Sequence, residues 1–133
     1  RGTIFDTTQE RFDELFAVNV RAPFFLTQDA VTIMAREKIA GSIINIQSMS
    51  AHGGQAFLSA YSSSKGALAT LTRNLGHALI RHRIRVNGLN IGWSDTPGED
   101  TIMKKYHGAK DGWLAAAEKA QPFGLQAKVA RAQ

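Results

Sequence analysis

Tyr61 and Lys65 stand four residues apart, a spacing that stacks two side chains one turn above the other on the same helix face. An ammonium beside a phenol favours the phenolate and draws the phenol's pKa down from its usual value of about 10. A tyrosine so placed can exchange a proton with an alcohol or carbonyl oxygen. Ser48 closes the run Ile43-Ile44-Asn45-Ile46-Gln47, and ligands of open α/β sheets bind beyond the carboxyl ends of strands. Its hydroxyl can donate to a carbonyl oxygen as negative charge develops there. Ser50 is a rival for that role, two residues further from the strand. Asn19 is a polar group on an apolar stripe, and a buried amide without partners costs about 1–3 kcal/mol. Pro23, four residues on, has no N–H to offer the Asn19 carbonyl, which leaves that oxygen free for an ordered water. Each feature also has a plainer reading: a chance pair on an amphipathic helix, a turn serine, an asparagine satisfied at a kink.

The elements that must position these groups follow from periodicity. Apolar residues recur at Phe12, Leu15, Phe16, Ala22, Leu26, Ala30 and Ile33, which predicts a helix over about 8–36. Thr7 is its expected N-cap, with Glu10 reaching back as in a capping box, and Pro23 should bend it. The short β-branched run 43–46 predicts a strand buried on both faces, as in a parallel sheet. Residues 49–58 form a glycine-bearing loop. A second long helix is expected over about 59–82, with Leu68, Thr72, Leu75 and Leu79 continuing the Tyr61–Lys65 stripe toward the sheet. Residues 84–91 read as a second strand, giving a βαβ unit. Gly92-Trp93-Ser94-Asp95-Thr96 leaves that strand at the same edge as Ser48, and a glycine there lets backbone approach a ligand closely. Three weaker helical segments follow, near 100–106, 112–120 and 127–133. Two parallel strands cannot make a sheet of the usual four to six or so, so the chain is expected to be part of a larger domain.

Composition narrows the class. The 133 residues carry 16 Lys and Arg against 11 Asp and Glu, for a net charge of +5. Much of the excess lies in Arg73, Arg81, Arg83 and Arg85, around the end of the second long helix, where cations suit the helix dipole. No nucleic-acid module or interleaving of aromatics with these cations is present, and no nucleic-acid partner is expected. With no cysteine there is no thiolate metal site or disulfide, and no metal is expected. The longest apolar run, 22–26, is far short of the roughly 20 residues of a membrane span, and no leader opens the chain. A cytoplasmic protein without a membrane partner is the expectation.

Together and in this order, these motifs resemble the short-chain dehydrogenase/reductase family over residues 3 to about 126. Val18-Asn19-Val20-Arg21-Ala22-Pro23 looks like its helix asparagine, and Gly41-Ser42-Ile43-Ile44-Asn45-Ile46-Gln47-Ser48 like its strand and catalytic serine. Tyr61-Ser62-Ser63-Ser64-Lys65, thirteen residues after Ser48, looks like its Tyr-x-x-x-Lys. Arg85-Val86-Asn87 through Thr96 is similar to the strand and loop that hold the nicotinamide. The resemblance implies a partial Rossmann-like, doubly wound parallel α/β sheet flanked by long helices. The chain would be the catalytic portion of a single domain, with the glycine-rich dinucleotide fingerprint before residue 1 and a closing strand after the end.

It also implies roles. Tyr61 would be the general acid or base, and Lys65 would lower its pKa and hold the nicotinamide ribose. Ser48 would polarise the substrate oxygen, and Asn19 would hold a water linking Lys65 to solvent. Ile46, Gly92, Ser94 and Thr96 would contact NAD or NADP; Ser50 and Trp93 would face substrate. The expected reaction interconverts a secondary alcohol and a ketone, a polyol-like alcohol being one candidate, in a homotetramer built through the helices near 8–36 and 59–82. The alternatives are an epimerase or dehydratase using the same Tyr and Lys, and a non-catalytic assembly module of the same fold. Two departures stand out: Ile91-Gly92 replaces the family's usual Pro-Gly, and the segment from Pro122 to Gln126 is a few residues short, suggesting gaps in the chain near 124–127.

Overall fold

The computed structural model describes residues 1–92, 94–120 and 127–128, the last two by their backbone. The chain forms two compact units, Arg1–Ile91 and Gly92–Gln133, each of which is treated by itself.

The first unit opens with a bridge in which Gly2 pairs parallel with Leu58. Helix α1 spans Gln9–Phe16. Its N-cap is Thr8, whose side chain accepts from the Arg11 N–H at 3.2 Å, not Thr7 as the capping-box pattern suggests. The Thr7 hydroxyl is committed instead to the Thr3 carbonyl at 2.6 Å. The single helix expected over 8–36 is two helices, α1 and α2 (Ala22–Arg36), joined by a π-helical turn over Ala17–Arg21. The break therefore precedes Pro23 and contains Asn19. Proline is comfortable in the first turn of a helix, where an N–H would be unsatisfied anyway, so α2 restarts there and the irregularity is moved upstream.

Strand β1 (Gly41–Ser48) and strand β2 (Ile84–Ile91) pair in parallel, with Gly41 against Ile84 and Ser48 against Ile91. The crossover is α3 (Ser59–Ala78), entered through a 3-10 turn at Met49–His52 and glycines with positive φ at Gly53 and Gly54. It ends four residues earlier than its periodicity suggests, in a 3-10 turn at Ile80–His82 that a left-handed Arg83 turns into β2. Leu79, Ile84 and Val86 form the core, with Val31, Met34, Ile43 and Leu75 against them. Gly76 allows this seam: a Cβ there would lie 3.1 Å from the Val86 carbonyl.

The strands are not covered on both faces. Burial alternates along β1: Ile43, Asn45 and Gln47 face the helices, while Ile44 is 62% and Ile46 50% exposed. α2 and α3 lie on one face, and the apolar opposite face, with Leu89, is open to solvent.

The second unit holds the two-residue strand β3 (Ser94–Asp95), α4 (Pro97–His107) and α5 (Trp113–Ala120). Strand β4 (Ala127–Lys128) pairs in parallel with β3. Thr96 caps α4 by accepting from the Glu99 N–H at 3.1 Å. Residues 127–128, expected as the start of a helix, are extended because backbone pairing with β3 overrides local preference. The rest of that expected helix and the suspected gap fall on or beside residues outside the described ones.

Candidate active site

Lys65 reaches from α3 to the sheet, and Tyr61, one turn before it, is half-buried as Lys65 is. The Lys65 ammonium donates to the Ile46 carbonyl at 3.0 Å and lies 5.9 Å from the Tyr61 ring centre. Burial holds the Lys65 ammonium below the usual lysine pKa, because desolvation penalises its charged form. An ammonium has three protons, so two remain beyond the one given to Ile46. The bond fixes α3 to β1 two residues before Ser48, at the strand's carboxyl end.

Ser48 ends β1 in an extended conformation and caps the following 3-10 turn. Its oxygen accepts from the Ser50 N–H at 3.1 Å. That contact uses a lone pair and leaves the Ser48 O–H able to donate elsewhere. Ser50 thus serves Ser48 through its backbone.

Asn19 comes to α3 from the π-helical turn. Its amide donates to the Ser64 hydroxyl at 3.1 Å, and Ser64, fully buried, donates in turn to the Tyr61 carbonyl at 2.7 Å. The asparagine side chain is therefore spent on the turn of α3 between Tyr61 and Lys65. Its own carbonyl has no N–H four residues on, Pro23 having none. Single π-helical turns of this kind are often found at functional sites. Ser64 was hidden in sequence by its serine neighbours; its zero exposure singles it out.

Below the site, Thr72 on α3 accepts from Asn45 and Gln47 of β1 at 2.9 and 3.0 Å. The first unit thus brings Asn19, Tyr61 and Lys65 into one bonded neighbourhood tied to the strand that ends in Ser48. Gly92, Ser94 and Thr96 belong to the second unit, where Thr96 is a helix cap, and Trp93 lies outside the described residues. Among the described residues no group of three or more His, Asp or Glu side chains could hold a metal ion, and no helix is long and apolar enough to cross a membrane.

Comparison with known proteins gives a consistent answer. The family model described as short chain dehydrogenase matches residues 1–107. Carbonyl reductase [NADPH] 2 of Sus scrofa is 44% identical over 85 residues, 64% of this chain and 35% of that protein. Galactitol 2-dehydrogenase of Agrobacterium fabrum is 32% identical over 123 residues, 88% of this chain and 47% of that protein. Among solved structures, 4-hydroxyisoleucine dehydrogenase complexed with NADH superposes with a TM-score of 0.79 at 26% identity, over 96% of this chain and 50% of that one. The chain spans between about a third and a half of the length of these curated relatives.

Proposed function

The chain belongs to the short-chain dehydrogenase family, and from that premise we propose that it is the catalytic portion of an NAD(P)-dependent oxidoreductase that interconverts a secondary alcohol and a ketone. The observation that carries this reading is the Lys65–Ile46 bond, which ties the Tyr61–Lys65 pair to the strand ending in Ser48. The donor set fits the nicotinamide end of a dinucleotide: two free ammonium protons suit the ribose hydroxyls, and a phenol and a serine O–H suit one carbonyl oxygen. When bound, the nicotinamide supplies the hydride acceptor or donor.

The chain's own residues do the rest. Tyr61 takes the proton of the alcohol oxygen in oxidation and returns one in reduction. Lys65 places a positive charge beside the phenol, which stabilises the phenolate left when Tyr61 gives up its proton. Ser48, whose oxygen is held by the Ser50 N–H, donates to the same substrate oxygen. Asn19 holds the helical turn between Tyr61 and Lys65 through Ser64, and its carbonyl, which Pro23 cannot serve with an N–H, would hold a water that passes protons from Lys65 to solvent. Ile46, Gly92, Ser94 and Thr96 would contact the cofactor, and Ser50 would face substrate. The names of a galactitol dehydrogenase and a sorbitol dehydrogenase among the relatives favour a polyol or keto-sugar. Assembly would be a homotetramer through the helices near 8–36 and 59–82 in the cytoplasm, and the exposure of Phe12, Val18, Phe24, Phe25 and Leu26 supports burial of the first of these between subunits.

The test is cofactor reduction by the intact protein, followed at the nicotinamide absorbance band with a panel of polyols and simple secondary alcohols. Tyr61→Phe should lower the rate by about 10²-fold or more. Equal rates for parent and variant would overturn the assignment.

A further inference from the structure

We propose that Thr72, held by Asn45 and Gln47, is the positioning residue that fixes Tyr61 and Lys65 relative to Ser48; this inference rests on the role given to Tyr61 above. Thr72 lies seven residues after Lys65, about 10.5 Å along the helix at 1.5 Å per residue. Its hydroxyl donates to the Leu68 carbonyl at 2.7 Å. A hydroxyl has one proton and two lone pairs, so with the proton committed both amides must present their NH₂ groups, and both do. The three side chains are buried and the hydroxyl is fully used.

Ile46, between the two amide residues, accepts from Lys65. Three successive residues of β1 immediately before Ser48 are thus bonded to α3 at two points two turns apart. One tie would let the helix pivot or slide; two set both its rotation and its axial position. Gly88 completes the arrangement. A Cβ at this position of β2 would overlap the Gln47 side-chain amide, so Gln47 lies across Gly88 to reach Thr72. Nothing in the Tyr, Lys or Ser motifs calls for a glycine there, and the tie does.

The tests use the intact protein. Thr72→Val keeps the side chain's shape and removes the hydroxyl; Thr72→Ser keeps the hydroxyl. Thr72→Val should lower kcat about tenfold to a hundredfold with KM little changed, and move the rising limb of kcat against pH upward by about half a unit or more. Thr72→Ser should keep the parent limb. A purely structural threonine would lower the thermal midpoint and leave the limb of the folded enzyme in place. Should Thr72→Val not fold, Gly88→Ala displaces the Gln47 amide while keeping Thr72, and should move the limb in the same direction. In thermal midpoints, the Gln47→Ala/Gly88→Ala pair should cost less than the sum of the single changes. An unmoved limb in the folded variants, a Thr72→Ser as impaired as Thr72→Val, or strict additivity of that pair would each overturn the inference. If Tyr61→Phe nevertheless inactivates the enzyme, the reading of the site survives. A fully active Tyr61→Phe would overturn that reading and this inference with it.

Discussion

Two parts of the molecule hold their side chains by hydrogen bonds in opposite ways. Along the seam of α3, the partners are far apart in sequence and shielded from water: Asn19 reaches Ser64, and Asn45 and Gln47 reach Thr72. In the α4–α5 segment, the bonds around Asp100 and Lys104 are local and partly exposed. Asp100 accepts from the Trp113 indole at 2.8 Å and from Lys104 at 3.1 Å, and Lys104 also reaches Asp111 at 2.9 Å, all within fourteen residues of chain. Loss of a partner in the seam strands a buried polar group, whereas water replaces a lost partner in the α4–α5 segment. The seam is therefore suited to hold atoms for chemistry, and the α4–α5 segment to hold a piece of surface in shape.

The sharpest way to break this contrast is Ser64→Ala. It leaves the Asn19 amide unpaired and should cost about 1–3 kcal/mol, measured as a shift in urea midpoint. A neutral result would mean that the buried link carries no stability.

Lys65 gives the next effect. Its pKa is lowered in the folded protein by burial, so between that lowered value and the ordinary lysine value of 10.5 the unfolded chain holds more protons than the native one. Stability then rises with pH through that window. Relative to Lys65→Met, the parent should gain stability as pH approaches 10.5; parallel curves for the two proteins would contradict the desolvation of Lys65.

The smallest effect is expected in the α4–α5 segment. Lys104 is held above its usual pKa by hydrogen bonds to Asp111 and then Asp100, and Asp100 below its own by Trp113 and then Lys104. Lys104→Met should change stability less than Ser64→Ala does, and its effect should shrink in about 1 M salt, where the Debye length falls to about 3 Å. A loss of the same size at low and high salt would show that packing, not charge, holds the α4–α5 segment.

The placement of the candidate residues on one helix was legible because it depends on local spacing. Tyr61, Lys65 and Thr72 fall on one stripe whatever the helix packs against, and β2 matched its periodicity over 84–91. The capping residue slipped by one position because Thr7 and Thr8 are chemically equivalent until a distant carbonyl, that of Thr3, engages one of them. Ile44 and Ile46 read as buried on both faces of a parallel sheet, and among the described residues no helix covers their face, as expected of a chain that spans part of a larger domain. Ser64 looked like one serine among three.

Residue type and repeat alone set the order of strand, helix and strand, and which helix face turns inward, since these follow from backbone periods of 3.6 and 2. Folding decided what those periods leave undetermined. It placed the π-helical turn at Asn19, gave Ser64 and Thr72 their partners, and made Gly88 room for Gln47. Each joins atoms from separate elements, and only packing brings those within bonding reach.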